Sequence, residues 1–159
     1  MQNQRIIFLS ITILSFLLGQ EEHDHHDEHG HHEELSIAFG ITPKHENENN
    51  KLGVHIHYIK GLGNHSPYAF GLSLETVFDI HKHNSVGLVG LYRFESGYSI
   101  AYVPGLLFAD EENAMQFTQH LEFCYEFEYK QYHIGPQFDI GIEGKESHYS
   151  VGIHLGIDF

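Results

Sequence analysis

From Leu35 to Phe159 apolar residues alternate with polar or small ones, over stretches longer than half-buried strands of soluble proteins usually reach. The last stretch is the plainest: in HYSVGIHLGIDF, Tyr149, Val151, Ile153, Leu155, Ile157 and Phe159 are apolar, while Ser150, Gly152, His154, Gly156 and Asp158 between them are small or polar. Over 131–142, Tyr132, Ile134, Phe138, Ile140 and Ile142 oppose His133, Gly135, Gln137, Asp139 and Gly141 in the same way, with Pro136 out of step. Proline has no N–H for a ladder, so a bulge or a locally unpaired amide is expected there. Over 117–129, Phe117, Leu121, Phe123, Tyr125, Phe127 and Tyr129 oppose Thr118, His120, Glu122, Cys124, Glu126 and Glu128. Earlier strands are expected at 35–42, 51–59, 68–79, 85–94 and 97–109, separated by the turn-like segments PKHENENN, KGLGNHSP, DIHKHNS, ESG and ADEEN.

Eight strands joined by short connections predict an all-β fold, an eight-stranded antiparallel up-and-down barrel with both chain ends on one side. Strands of about ten residues match the length a tilted strand needs to cross a bilayer. Parity alone does not say which face is inside, but side-chain size does. One face carries Gly97, Ser99, Ala101, Val103 and Gly105, which suit a crowded lumen, whereas the other carries the large aromatics. Three acids on one strand face, Glu122, Glu126 and Glu128, have no place in a dry core unless paired. The aromatics also fall in bands. Tyr58, Tyr68, Tyr92, Phe94, Tyr98, Phe127, Tyr129, Tyr132 and Phe159 are expected at the end where the chain enters, and Phe78, Phe108, Phe117 and Tyr149 at the other. Aromatic girdles at two membrane interfaces account for such bands, so the expectation is a transmembrane barrel.

On these residues the segment from Leu35 to Phe159 resembles the small bacterial outer-membrane barrels of the OmpX or OmpW sort, especially short members with a histidine-rich N-terminal segment. The most specific feature is the terminus: a final phenylalanine preceded by apolar residues at alternate positions (Phe159, Ile157, Leu155, Ile153 and Val151) matches the assembly signal of that family. The resemblance implies insertion by the outer-membrane assembly machinery of a Gram-negative cell and contact with outer-membrane lipid. Short loops on both ends depart from the OmpX pattern.

The N-terminal end reads differently. Arg5 precedes an apolar run from Ile6 to Leu18 that ends at Gly19, the anatomy of a secretory signal peptide over 1–19. The run falls short of the ~20 residues a membrane helix needs. Residues 20–34 then contain EEHDHHDEHGHHEE, a stretch without apolar side chains that is expected to be a disordered periplasmic leader ahead of the barrel at 35–159. A single cysteine, Cys124, rules out an internal disulfide framework and a cysteine-rich zinc cage. With 22 acids against 8 bases, the chain lacks the basic face that nucleic acid requires.

The same charge attracts cations, and 16 histidines supply ligands for them. In the leader, His23, His25, His26, His29, His31 and His32 are interspersed with carboxylates, a mixture suited to zinc, copper or nickel. In the expected lumen, His55 and His57 stand two apart on one strand face, where both can chelate one ion. They share parity with His120, His133, His148 and His154 and with Glu75, Asp79, Glu122, Glu126, Glu128, Asp139 and Asp158. A metal-binding or metal-buffering barrel is therefore one reading. Its alternative is a purely structural barrel whose lumen is a self-satisfied polar network without ligand. A third reading rests on His148, Tyr149 and Ser150 with Glu143 and Glu146 upstream, which resemble part of the site of lipid A deacylases. Parity turns His148 and Ser150 away from lipid and the wider motif is missing, so no enzyme activity is expected.

Overall fold

The computed structural model describes residues 33–43, 50–63, 66–78, 83–108, 115–144 and 146–159. Nine strands are described: β1 (Glu33–Thr42), β2 (Lys51–Gly61), β3 (Tyr68–Phe78), β4 (His83–Arg93), β5 (Tyr98–Phe108), β6 (Met115–Tyr125), β7 (Phe127–Tyr129), β8 (Tyr132–Glu143) and β9 (Glu146–Asp158). β6 and β7 are two parts of one stave, so the barrel has eight. Every neighbouring pair is antiparallel, and the sheet closes where β9 pairs with β1. At the seam the Phe159 amide donates to the Glu33 carbonyl oxygen at 2.9 Å, while on the other side of β9 the Asp158 amide donates to the Gln131 carbonyl, just before β8, at 2.8 Å. Closure leaves no sheet edge, the condition for spanning a bilayer with strands.

The interruption between β6 and β7 falls where proline was expected to disturb the ladder. Cys124 pairs Gln137 and Phe127 pairs Ile134, so no residue is inserted and the register passes unchanged across Pro136. The outcome is a gap in the ladder, not a bulge: residues 125–126 and 135–136 drop out of the pairing between the two staves. The Glu126 amide turns to the other side and donates to the Gly97 carbonyl at 2.8 Å. Gly135, beside the proline, has the Tyr125 carbonyl where a Cβ would stand, so only glycine lets the two staves approach here.

Followed from Glu33 through Lys60, Phe70, Gly90, Tyr102, Leu121, Ile140 and Tyr149, the pairing climbs about ten residues along β1 in one circuit. Such a stagger tilts the strands and brings lumen side chains from strands remote in sequence to one height.

The barrel is apolar outside and polar inside, as side-chain size implied. Its three most completely buried side chains are Glu34, Thr118 and Asp139, all polar. Most of the buried apolar residues are small, and the cluster Ile59, Ala69, Val89, Leu91, Ala101 and Val103 lines one wall. Outside, Phe39, Leu72, Leu88, Ile134 and Ile153 stand 43–63% exposed. Each large apolar side chain left in water forfeits about 1.5–3 kcal/mol, so this belt needs lipid against it. At the leader end the aromatics touch in chains: Tyr68 to Tyr92 at 5.0 Å and Tyr92 to Phe94 at 4.7 Å, then Tyr98 to Tyr125 and Tyr125 to Phe127 at 4.7 Å each. That is the expected girdle. Among the described residues no helix is long and apolar enough to cross a membrane.

Candidate metal centre in the barrel lumen

The lumen is built from alternate residues of the staves, and its ligand-type side chains fall into an end near the leader, a middle and a far end. At the far end the carboxylates and imidazoles hold one another. Ser85 donates to Glu75 at 3.0 Å, and His55 Nε2 lies 3.1 Å from the other Glu75 oxygen. His120 Nδ1 lies 3.2 and 3.3 Å from the two oxygens of Asp139, and its Nε2 meets the Thr118 hydroxyl at 3.1 Å. The His148 ring stands edge-on to His120 at 5.6 Å, and Gly141 makes room because a Cβ there would strike the His148 ring.

In the middle the spacing changes. His55 Nδ1 and His57 Nε2 lie 3.6 and 3.5 Å from one oxygen of Glu122, too far for good hydrogen bonds. Neither His57 Nε2 nor that Glu122 oxygen has any hydrogen-bond partner, although both side chains are buried. Glu122's second oxygen accepts from Gln137 at 3.2 Å. Buried polar atoms of this kind are normally paired, and here two that lack a hydrogen bond face each other at 3.5 Å. His55, His57 and Glu122 form one of the three groups of convergent ligand atoms among the described residues; the others are Glu34 with His133 and His154, and His120 with Glu143 and His148.

Near the leader, Glu34 sits at the start of β1, 2% exposed. One of its oxygens is ion-paired with Arg93, and Arg93 Nε also lies 3.5 Å from Glu126, whose other oxygen accepts from Ser99 at 2.5 Å. The other Glu34 oxygen faces His133 Nε2 at 3.5 Å and His154 Nε2 at 3.6 Å. The two imidazoles are 12° from parallel and meet edge to edge, with ring centroids 5.1 Å and Nε2 atoms 3.0 Å apart. Gly156, opposite His133 in the β8–β9 ladder, makes this possible: a Cβ there would occupy the His133 ring. A cavity of about 10 Å³, room for about one water, lies between this group and the middle one, against Glu34, His57, Glu122 and His154.

Several sequence expectations are placed by this arrangement, and three are corrected. His55, His57, His120, His133 and His154 are all buried in the lumen, and His148 is half-buried on its wall. Ser150 is buried there too, on the side away from lipid. His23, His25, His26, His29, His31, His32 and Asp79 lie outside the described residues. The strand expected to begin at Leu35 begins at Glu33, so Glu33 and Glu34 belong to the barrel and not to the leader. Glu128, expected in the lumen, is exposed, because β7 runs past the turn at Gly97 and pairs with β8 alone. The single strand expected over 117–129 is interrupted at Glu126.

Two site residues escaped sequence reasoning. Glu34 continued the acidic leader in composition, and only its phase with Ser36 and Ala38 could have drawn it inward. Arg93 shares parity with Val89 and Leu91, which marks a cation inside a barrel, but it closes a strand and reads as a turn residue.

No protein-family model matches the chain, and no curated protein sequence matches it either. Solved structures do. The chain is similar to Neisserial surface protein A, with a TM-score of 0.59 and 7% identity over 80% of this chain and 96% of that one. It is similar to the Yersinia pestis outer membrane protein Ail, with a TM-score of 0.53 and 12% identity over 79% and 99% of the two chains. The N-terminal β-barrel domain of Pseudomonas aeruginosa OprF gives a TM-score of 0.53 and 12% identity over 79% and 97%. The fold is therefore that of the small eight-stranded outer-membrane barrels, as the alternation and the terminal Phe159 implied.

Proposed function

We propose that this chain is an outer-membrane barrel that binds and buffers divalent transition metals, zinc, copper or nickel, through the histidines of its leader and through His55 and His57 in the lumen. The observation that carries the reading is the pair of orphaned, buried atoms His57 Nε2 and Glu122 Oε1 at 3.5 Å, with His55 Nδ1 at 3.6 Å from the same oxygen. Zinc bonds to nitrogen and oxygen of ~2.0–2.2 Å put tetrahedral ligands roughly 3.4 Å apart, which fits these gaps better than a hydrogen bond does. Glu75 on the far nitrogen of His55 orients that ring, as carboxylates do behind metal-bound histidines. The location follows from the lipid-facing belt and the barrel fold.

A purely structural barrel is the second reading, favoured by the far end of the lumen, where Glu75, Ser85, Thr118, His120 and Asp139 satisfy one another. Zinc titration calorimetry on the full mature chain refolded into lipid vesicles separates the two. The metal reading expects saturable binding at pH 7.5, with stoichiometry falling when His23, His25, His26, His29, His31 and His32 become Asn, and falling again with His55→Asn and His57→Asn. Leader imidazoles, of ordinary pKa near ~6.5, should release their ions by about pH 5.5 as protons displace the metal. Absence of binding at neutral pH would leave the structural barrel. Membrane fractionation tests the location: a soluble folded pool would contradict it.

A further inference from the structure

We infer that Glu34, His133 and His154 form a second transition-metal site at the leader end of the lumen, separate from the His55 and His57 pair. The inference takes its class of ion from the metal-binding reading but rests on other residues and other distances. Three ligand atoms, Glu34 Oε1, His133 Nε2 and His154 Nε2, lie 3.0, 3.5 and 3.6 Å apart. A circle through points so spaced has a radius of about 2 Å, which is a zinc–nitrogen bond length. One ion can therefore lie at bonding distance from all three atoms, with a small turn of the two rings to aim their nitrogens at it.

The surroundings carry the features of a metal shell. Arg93 fixes the second Glu34 oxygen from behind, and His133 Nδ1, on the far side of its ring, faces the Asp158 carboxylate at 3.7 Å, just beyond hydrogen-bond length. Among the described residues Glu34 and Glu126 share one Arg, Arg93, with Asp158 and Glu122 close by, and this excess of acid favours a cation. Without an ion the two imidazoles meet nitrogen to nitrogen at 3.0 Å, a hydrogen bond that one neutral ring can donate to the other, and an ion would replace it with a bond to each nitrogen. The water-sized cavity against Glu34 and His154 leaves room for a water as fourth ligand of a two-histidine, one-carboxylate zinc site. In sequence, Glu34 follows the last leader histidine, His32, by two residues.

The test uses the full mature chain in lipid vesicles with the six leader histidines and His55 and His57 all changed to Asn, which removes every histidine assigned to the leader and middle sites. Zinc titration should still show about one tight site, and cobalt substituted for zinc should give the intense visible absorption of a four-coordinate ion. His154→Asn in that background should lower affinity by at least roughly 100-fold and abolish the cobalt band, while Asp158→Asn, behind His133, should cost about 10-fold. Heat-modifiable gel mobility reports that each variant is folded, and Glu34→Gln, which keeps shape and loses charge, replaces any that is not. A folded background that takes up no zinc, or a His154→Asn variant that binds as before, overturns the inference. The converse chain, carrying His133→Asn and His154→Asn with leader, His55 and His57 intact, reads the first proposal independently, so failure of one site is distinguishable from failure of the other.

Discussion

The two ends of the lumen are made of the same side chains, spaced differently. At the far end the distances between polar atoms run from 3.0 to 3.4 Å, and Glu75, Ser85, Thr118, His120 and Asp139 form a closed set of hydrogen bonds. Toward the leader end the imidazole–carboxylate distances lengthen to 3.5–3.7 Å around Glu122, Glu34 and Asp158, and buried atoms of His57, Glu122 and His133 have no hydrogen-bond partner. A composition rich in histidine and acid therefore does not define a metal site; spacing does. Where the atoms are close enough to share protons they fill the barrel, and where they stand one metal-bond triangle apart they can hold an ion.

The comparison breaks most severely at Arg93. Replacing it with Met strips the cation from Glu34 and Glu126 and leaves two buried carboxylates facing each other, a loss of about 3–5 kcal/mol, readable as a lower urea midpoint in vesicles. An unchanged midpoint would mean that the leader end is wet. At the other end, Asp139→Ala removes the partner of a buried imidazole and should cost about 1–3 kcal/mol without changing zinc affinity. A change in metal binding in that variant would dissolve the distinction between the two ends.

The fold was legible almost throughout, because an unbroken period of two fixes strand and face together, and because only small or polar side chains fit inside eight staves. What the alternation could not supply was height. Which histidine meets which carboxylate depends on the stagger of the closed sheet, set by all eight pairings at once, so His133 and His154 could be placed inside but not beside Glu34. Composition misled at that residue. Six histidines and a run of acids end in Glu33 and Glu34, and nothing in residue type marks where the leader stops; the phase of Glu34 with Ser36 and Ala38 does. Pro136 was read as a disturbance whose form depended on whether the register shifted, which only the pairs on either side decide.

A finer probe is Gly156→Ala. The added methyl must push the His133 ring off its neighbour, so metal affinity at the leader end should fall about 10-fold, the scale of lost ligand orientation, while His55 and His57 bind as before. Smallest in stability is Phe159→Ala. Phe159 is 66% exposed and its amide, not its ring, closes the seam to Glu33, so the folded barrel should lose less than about 0.5 kcal/mol. Assembly yield in cells should nevertheless drop if the terminal phenylalanine is read by the assembly machinery. Normal yield would remove that role while leaving the fold untouched.

The most direct measurement is anomalous diffraction at the zinc edge from crystals of the zinc-loaded full mature chain. The account predicts one peak about 2 Å from Glu34 Oε1, His133 Nε2 and His154 Nε2, a second among His55, His57 and Glu122, and none among Glu75, His120 and Asp139. A peak in the far group, or a lumen without zinc in crystals whose leader is loaded, would contradict it.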